Sequence, residues 1–344
     1  MNYMHRIDSN MPPLQHSSLA ALGEFGLISR ITSAVSPGEG VITGIGDDAA
    51  VTSPSPGMQL LVSTDMLVED VHFDLGWHDP SRLGRKSLAV NISDIAAMGG
   101  IPRWVLLSLA LPSDLPLDFI DRFMRGFLGM AAEHRVALIG GDTCSSRSGL
   151  SISVTVMGEQ APELILRRSG ALPDDDIWVT GTLGDAALGL KVVQNGGTGD
   201  DYPVSRLLDP SPRVSAALAL AEAGVVTAMI DVSDGILADF GHIAEQSHVG
   251  GCIYRDDLPL SAGFRSHTAD LSEIPYQLAL SGGEDYELCF TAHRSNRKKI
   301  VDCMKKSGIA VTRVGIVINS PGVAVLCPDG TRYEVNSDGF NHFT

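Results

Sequence analysis

Short runs of apolar and polar residues along this chain follow the spacings of both strands and helices. Apolar and β-branched runs bounded by Gly, Pro or Asp predict strands at 41–45, 59–63, 136–139, 152–157, 177–180 and 228–230. Apolar residues at helical spacing predict helices at 25–34, 84–98, 117–133, 185–194, 212–223 and 235–246, and the stretch 195–205 is predicted as a loop. Strands and helices alternate in both halves, so the pattern predicts layered α/β architecture.

The predicted helix at 84–98 is apolar almost all round. Leu88, Ile92 and Ile95 share one side, whereas Asn91 and Asp94 share another, three residues apart. An unpaired carboxylate on a buried helix is costly. We therefore expect Asp94 to meet a cation or a hydrogen-bond donor.

Length and composition are those of an ordinary globular protein. The chain has 344 residues, of which 44% are hydrophobic and 19% charged, and this length favours two domains. We expect a mobile N-terminal extension at 1–22, an N-terminal domain at 23–158 and a C-terminal α/β domain at 159–344, with a polar crossing segment at 159–176. Residues 1–20 lack the apolar stretch of a signal peptide, and we see no run long enough to span a bilayer.

The charge balance excludes some partners. A formal charge of -16 and a pI near 4.9 argue against nucleic acids and anionic membranes, because a polyanion would be repelled. Five cysteines lie far apart without a CxxC pair, and an odd number cannot close fully into intrachain disulfides. We expect reduced thiols in a cytoplasmic protein.

Acidic residues recur at or near the ends of apolar runs. They occur in GIGDDAAV (44–51), VSTDMLVEDVHF (62–73), NISDIAAMGG (91–100), LIGGDT (138–143) and MIDVSDGI (229–236). Each cluster alone is typical of a turn or a helix cap. Their recurrence favours carboxylates that share divalent cations, the ligand set with which proteins hold Mg²⁺ against phosphates.

The DVSDGI segment (231–236) is open to two interpretations. Ser233 or Asp234 could cap the helix that starts near Gly235. Alternatively, Asp231 and Asp234 could bind metal while Ser233 and exposed amides meet a phosphate at the helix N-terminus. The usual phosphate loops GxxxxGK[ST] and GxGxxG are missing from the sequence, as are the HRD and DFG motifs of protein kinases.

A longer series of motifs, in order along the chain, resembles the thiamine-monophosphate kinase family of the aminoimidazole-ribonucleotide synthetase-like superfamily. The motifs include GEFGLI (23–28), GIGDDAA, STDMLVEDVHF, AVNISDIAAMGG, IGGDT, RRSGA, VTGTLGDAALGL, IDVSDGILADFGHI, SGGEDYEL and GFNHF. The resemblance implies an N-terminal mixed sheet with helices, a C-terminal α/β domain, ATP between them and a homodimer formed through the N-terminal domain. It also implies ATP-dependent conversion of thiamine monophosphate to thiamine diphosphate.

The resemblance also implies residue roles. Several Mg²⁺ ions would be held by Asp48, Ser63, Thr64, Asp65, Asp94, Asp142, Asp231 and Asp234. ATP would meet Gly141, Asp142, Arg168 and Ser233, and the substrate would meet His72, Glu284 and Phe340. Asp70 stands where the family usually has glycine, and the N-terminal extension has no counterpart.

The implied chemistry is direct in-line transfer of the γ-phosphoryl group. A phosphate monoester has a second pKa near 6, so the attacking oxygen is mostly ionised at neutral pH and we expect no general base. Two alternatives stay open: another ATP-dependent enzyme of the same superfamily, and a non-catalytic protein that binds nucleotides or thiamine phosphates.

Overall fold

The computed structural model describes residues 19–36, 38–197, 201–336 and 339. Its first half contains α1 (Leu19–Thr32), β1 (Val41–Thr43), β2 (Val51–Thr52), β3 (Gln59–Val68), α2 (Pro80–Ala97), β4 (Ile101–Pro112), α3 (Leu117–His134), β5 (Ala137–Ser146) and β6 (Ser151–Gln160). The main sheet has the order β3-β6-β4-β5, in which β4 and β5 are parallel and the other neighbours antiparallel. Strands β1 and β2 form a separate antiparallel pair.

The second half contains a larger sheet. Its elements are β7 (Asp175–Thr180), α4 (Asp185–Gln194), α5 (Tyr202–Leu208), α6 (Val214–Ala223), β8 (Ala228–Asp231), α7 (Ile236–Ser247), β9 (Gly250–Tyr254), α8 (Ala262–His267), α9 (Tyr276–Ser281), β10 (Leu288–His293), α10 (Arg297–Ser307), β11 (Val311–Ile318) and β12 (Gly322–Leu326). Short 3₁₀ turns occur at Pro162–Leu164, Arg255–Asp257 and Arg294–Asn296. The sheet order is β12-β9-β11-β7-β10-β8, with β9 and β12 parallel.

This architecture confirms the predicted fold class, a mixed sheet with helices followed by an α/β domain. Several boundaries were wrong. Strand β3 extends to Val68, well beyond the predicted end, and β4 was not predicted. The stretch predicted as a loop contains the start of α5 at Tyr202. Strand pairing uses backbone groups, so a strand can continue through polar residues that interrupt the apolar pattern.

The expectation that acidic residues follow strand ends also needs correction. Asp65 lies inside β3, and Asp142 lies inside β5. Most neighbouring strands in both sheets are antiparallel. Open parallel sheets place ligand-binding residues beyond the carboxyl ends of their strands. That arrangement does not explain the positions of Asp65 and Asp142.

Helix α2 connects the two halves. It begins at Pro80, earlier than predicted, because the Asp79 side chain accepts hydrogen bonds from the amides of Ser81 (2.9 Å) and Arg82 (3.3 Å). A Cβ atom on Gly84 would lie 2.0 Å from the Phe123 carbonyl oxygen, so glycine permits the close crossing of α2 and α3.

The faces of α2 pack on both halves. Leu88 and Ile92 belong to the core of the first sheet, as predicted. Ala96 and Ala97 pack in a cluster with Phe290 of β10 in the second half. The polar side chains of this helix consequently lie at the boundary between the two sheets.

The predicted domain division at 158/159 falls inside β6, two residues before its end, and it stays a prediction. Most of the predicted N-terminal extension lies outside the described residues. Helix α1 is kinked at Gly23, where φ is 66°. In the described part of the chain, no helix is both long and apolar enough to cross a membrane.

Candidate active site

A cavity of about 630 Å³ lies between the two halves of the molecule. Its acidic lining residues are Asp65, Asp70, Asp74, Asp94, Asp231, Asp234 and Glu284. Among the described residues that line it, none is a lysine or an arginine. Such a cavity repels a phosphate ester unless cations are present.

The first pair of carboxylates is organised by contacts between β3 and α2. Ser63 donates a hydrogen bond of 2.5 Å to Asp94 Oδ2. The amide of Asp65 donates to Asn91 Oδ1 at 3.1 Å. Asn91 and Asp94, predicted to share a helix face, therefore both point to β3, where Asp65 lies.

A third carboxylate comes from the second half of the chain. Asp231 ends β8 and is buried, and the hydroxyl of Ser93 on α2 donates to its Oδ2 atom at 2.6 Å. Asp94, the next residue on α2, acts electrostatically on Asp231. The site thus joins Asp65 of β3, Asp94 of α2 and Asp231 of β8.

These carboxylates have raised pKa values. Burial, and then the charge of Asp94, raises the pKa of Asp65 to about 6. Burial also raises the pKa of Asp94, against the opposing effects of the Ser63 hydrogen bond and the Arg168 charge. Burial, and then Asp94, raises the pKa of Asp231 to about 7. The charged forms are therefore only partly compensated within the chain, and a cation would add to that compensation.

Arg168, a predicted ATP contact, acts electrostatically on these acids. Its positive charge lowers the pKa values of both Asp94 and Asp231. The residue itself is exposed, and its carbonyl accepts a hydrogen bond from Ser247 on α7 at 3.2 Å. This position suits a guanidinium that meets a phosphate while the carboxylates hold metal.

The DVSDGI turn shows neither the helix cap of the first interpretation nor the exposed amides of the second, and metal binding by Asp231 and Asp234 stays a prediction. Helix α7 has Gly235 at its N-cap, without a capping side chain from Ser233 or Asp234. Instead, Asp239 Oδ2 accepts hydrogen bonds from the amides of Ser233, Asp234 and Gly235 at 3.0–3.1 Å. A phosphate would have to displace this carboxylate to reach those amides, so the idea of freely exposed amides is wrong. Asp234 and Ser233 still line the cavity.

Asp239 is itself in an unusual environment. Burial, followed by the charges of Asp231 and Asp234, raises its pKa to about 8. Three amides bonded to a single carboxylate oxygen hold the turn in one conformation. Asp239 is therefore a positioning residue for the carboxylate of Asp234.

The SGGEDYEL segment brings Glu284 into the cavity wall. Gly283, Glu284 and Tyr286 all have left-handed backbone conformations, with φ of 71°, 59° and 49°. The Glu284 amide donates to the Ser233 carbonyl at 2.7 Å, which attaches this turn to the DVSDGI turn. Lys86 of α2, only 1% exposed, forms a 2.8 Å ion pair with Glu284.

His72 lies in the cavity wall, as its predicted role as a substrate contact requires. Its Nδ1 atom accepts a hydrogen bond from the Val68 amide at 3.0 Å, which fixes the orientation of the ring. Asp70 has φ of 64° and its amide donates to the Phe73 carbonyl. That left-handed conformation explains why glycine suits this position, and aspartate is among the residues that tolerate it.

Thr64 also lines the cavity, but its hydroxyl is engaged with strand β6. The hydroxyl donates to the Val154 carbonyl at 3.0 Å and contacts the Thr155 hydroxyl at 3.0 Å. Successive residues of a strand point to opposite faces, so Thr64 faces away from Ser63 and Asp65. As a hydrogen-bond donor to Val154, the Thr64 hydroxyl keeps an oxygen lone pair, and its predicted metal ligation stays a prediction.

Phe340 lies outside the described residues. The preceding residue, Gly339, lies against α7, where a Cβ atom would be 2.6 Å from Ala238 Cβ and 3.0 Å from the Asp234 carbonyl oxygen. Gly339 therefore lies beside the DVSDGI turn. The role of Phe340 stays a prediction.

Asp48, Gly141 and Asp142 do not line the cavity. Within residues 19–36, 38–197, 201–336 and 339, no group of three His, Cys, Asp or Glu side chains could by itself hold a metal ion. The predicted metal roles of these residues stay predictions. Close packing also accounts for glycine at position 141, because a Cβ atom on Gly141 would lie 1.8 Å from the Leu107 carbonyl oxygen.

The sequence analysis missed several residues of the site. Lys86, Ser93 and Asp239 act through the ion pair and hydrogen bonds described above. Lys86 stands inside an otherwise buried helix, and Asp239 follows DVSDG by one helical turn. These were usable signals, but neither residue forms part of a recognisable ligand spacing.

Comparison with known proteins agrees with this architecture. Residues 46–160 match the N-terminal domain model of AIR synthase related proteins, and residues 173–328 match the C-terminal domain model. A curated thiamine-monophosphate kinase from Salmonella typhimurium is 38% identical over 329 residues, which cover 94% of this chain and 99% of that protein. The fold and site therefore define a two-domain protein of the AIR synthase-related class.

Similarity to solved structures identifies the family within this class. A thiamine-monophosphate kinase from Stenotrophomonas maltophilia K279a is 42% identical, with a TM-score of 0.80 and coverage of 93% of this chain and 99% of that one. AaThiL complexed with AMPPCP and TMP is 32% identical, with a TM-score of 0.74 and coverage of 95% and 99%. The chain belongs to the thiamine-monophosphate kinase family.

Proposed function

We propose that this protein transfers the γ-phosphoryl group of ATP to thiamine monophosphate and so produces thiamine diphosphate and ADP. The observation that carries this proposal is the meeting of Asp65, Asp94 and Asp231, from both halves of the chain, at one cavity. Family membership over almost the whole chain supports the substrate pair. The same family supports kinase activity against the alternatives of a different superfamily reaction or a non-catalytic binder.

The donor set fits Mg²⁺. Hard oxygen ligands suit this ion, and the raised pKa values of Asp65, Asp94 and Asp231 indicate carboxylates whose charge is incompletely compensated. When bound, Mg²⁺ would neutralise the phosphate oxygens of donor and acceptor. Ser63 holds the Asp94 carboxylate in one orientation, and Ser93 does so for Asp231.

The remaining contribution of the chain is positioning. The acceptor phosphate is mostly ionised at neutral pH, so no side chain has to remove a proton. Arg168 would hold phosphate oxygens close to Asp94 and Asp231, and His72 would present its fixed ring to the substrate. Together they would align the donor and acceptor for in-line attack.

A homodimer would complete the site. The outer face of edge strand β3 exposes Leu60 (47%), Val62 (59%) and Met66 (59%), a row of apolar side chains on one face of the strand. Asp48 and Asp142 lie outside the cavity of their own chain. We propose that two copies pack through the N-terminal sheets and that Asp48 and Asp142 of one copy face the cavity of the other. The five cysteines are free, which suits the proposed cytoplasmic location.

The direct test is incubation of the purified protein with ATP, Mg²⁺ and thiamine monophosphate, followed by chromatography of the thiamine phosphates. We expect thiamine diphosphate and ADP in equal amounts, and no product when EDTA removes the metal. A preparation of Asp65→Asn purified in the same way controls for contaminating kinases. Binding of both ligands without turnover would instead support the non-catalytic alternative, and turnover only of another superfamily substrate would support the other.

A further inference from the structure

The cavity has an aromatic and apolar part in addition to its acidic part. The side chains that form it are Leu67, Phe73, Trp77, Val90, Leu190, Leu207 and Tyr286. Lys86, Val90 and Asp94 follow one another at intervals of four residues on α2, and the eight residues from Lys86 to Asp94 span about 12 Å of helix axis. Asp94 is at the end of this span where metal binding is proposed. Lys86 is at the other end, closer to the residues that precede α2. The cavity can therefore receive a ligand with a phosphate at one end and flat rings at the other.

One buried polar residue in this apolar part lacks a hydrogen-bond partner of normal geometry among the residues that the structure describes. His78 is only 4% exposed and forms part of the cavity wall. The Asp74 carbonyl acts on the ring, but neither ring nitrogen makes a hydrogen bond of normal geometry to a described residue, and the ring packs edge-on against Phe73 with centroids 6.2 Å apart. Buried polar groups in folded proteins nearly always have a partner. His78 therefore has hydrogen-bonding capacity in the cavity wall that a polar atom of a ligand could use.

The surroundings of His78 keep its ring neutral. Burial, and then the ammonium group of Lys86, lowers its pKa to about 3, and the Asp74 carbonyl opposes this only in part. Lys86 is itself paired with Glu284. A neutral imidazole offers one N–H donor and one acceptor nitrogen. It suits an uncharged heteroaromatic ring that carries an amino group beside a ring nitrogen, and it does not suit a phosphate.

We propose that His78 is a specificity residue that hydrogen-bonds the aminopyrimidine ring of thiamine monophosphate in the apolar part of the cavity. This inference rests on the proposed function. Adenine also carries an amino group beside a ring nitrogen, so ATP is the competing source of the same chemistry. Two arms of the experiment separate the sources, because kinetics can be measured against each substrate in turn.

The first test is the variant His78→Phe, which keeps a planar ring and removes both nitrogens. We expect KM for thiamine monophosphate to rise about tenfold, as expected for one lost neutral hydrogen bond, with KM for ATP within about twofold of wild type. His134→Phe is the matched control, because His134 is also partly buried but does not line the cavity. A rise in KM for ATP alone would overturn the assignment in favour of adenine.

The second test uses a thiamine monophosphate analogue in which a carbonyl oxygen replaces the amino group of the pyrimidine. Wild type should prefer the natural substrate in kcat/KM, and His78→Phe should lose about tenfold of that preference. A purely structural role would change both substrates equally and leave the ratio unaltered, which would overturn the proposal. If wild type turns over neither compound, the proposed function fails first, and the two failures are thereby distinguished.

A third measurement needs no variant, so it holds even if His78→Phe does not fold. The ¹⁵N resonances of the His78 ring in wild type should shift when thiamine monophosphate saturates the protein and stay in place with ATP alone. Unchanged resonances with saturating thiamine monophosphate would overturn the proposal. A shift with ATP alone would again assign the site to adenine.

Discussion

Ser93 of α2 donates a 2.6 Å hydrogen bond to Asp231 of β8, and this bond joins two residues 138 positions apart in the chain. Asp231 is buried at the boundary of the two sheets, beside the acids of the first half. The bond holds a carboxylate from the second half against the helix that carries Asp94. The alignment of the site therefore depends on the packing of the two halves.

Replacement of Ser93 by Ala should weaken both folding and metal binding. The variant leaves a buried acceptor without its donor, so we expect the free energy of unfolding to fall by roughly 1–3 kcal/mol. Denaturant unfolding and Mg²⁺ titration measure the two effects. Ser266→Ala, on an exposed face of α8, is the control and should change neither. Unaltered stability and Mg²⁺ affinity in Ser93→Ala would contradict the role given to this bond.

The stabilisation by Mg²⁺ should depend on pH. The pKa values of Asp65 and Asp231 are raised to about 6 and about 7, above the ordinary value of 3.8, so the folded protein holds protons that the unfolded chain has released. The contribution of these groups to stability is consequently present at low pH and lost as pH rises through 6 to 7. Mg²⁺ competes with those protons.

We therefore expect Mg²⁺ to raise the Tm by roughly 3–6 °C at pH 8 but by about 1 °C or less at pH 5.5. Differential scanning fluorimetry with and without Mg²⁺ across this range provides the measurement. Asp65→Asn removes one of the titrating groups and should reduce the pH dependence. Equal Tm increases at both pH values would show that these carboxylates are not the metal ligands.

Lys86 and Glu284 should respond unequally to the loss of their partner. Lys86 is 1% exposed and Glu284 is 30% exposed. Glu284→Gln leaves a buried ammonium without its counter-ion, and we expect a loss of about 2–4 kcal/mol in stability. Lys86→Met leaves a carboxylate that can reach solvent, so its cost should be about 1 kcal/mol or less. Chemical denaturation of the ligand-free variants tests this order, and the reverse order would contradict the pairing.

Two inactive variants should complement each other if the site is shared between copies. Asp65→Asn and Asp142→Asn should each lower kcat by about 10²-fold, because each removes a charge that stabilises the transferring phosphoryl group. In a mixed dimer, one site would carry both substitutions and the other would carry neither. Remixing of equal amounts after unfolding and refolding should therefore restore about a quarter of wild-type activity.

The control for complementation uses the exposed face of β3. Val62→Arg in both inactive chains should prevent association through the N-terminal sheets and abolish the recovery. Val301→Arg, at an exposed apolar position on α10, should leave the recovery intact. Sedimentation analysis reports the oligomeric state of each mixture. Absence of recovery from an association-competent mixture would place Asp142 outside a shared site.

Much of the architecture was predictable from local pattern. Helix α4 has the bounds predicted for it, and the buried sides of α2 follow from the spacing of Leu88, Ile92 and Ile95. Strand limits were less accurate, since β3 passes through Ser63, Thr64 and Asp65 without ending. A polar side chain in the sequence indicates that a position is exposed. It does not indicate that the backbone hydrogen bonding of the strand ends there.

The site was only partly predictable. Asp65, Asp94 and Asp231 line one cavity, whereas Asp48 and Asp142 do not line it, and the metal roles of all five stay predictions. The acidic motifs are short and lie far apart in the sequence. Their separation along the chain therefore does not indicate how close the elements that carry them lie in the fold. Likewise, the local sequence does not indicate that Asp239 accepts hydrogen bonds from the amides of the DVSDGI turn.

The sequence by itself determined the order of the motifs, the amphipathic faces of the helices and the supply of carboxylates that suits Mg²⁺. These depend on residue type and on periodicity within one element. Only the tertiary structure decided which carboxylates share the cavity, that Lys86 pairs with Glu284, and that His78 is buried in its wall without a hydrogen-bond partner of normal geometry among the described residues. Those contacts depend on how α2 packs between two sheets, and that packing is set by many weak interactions between distant parts of the chain.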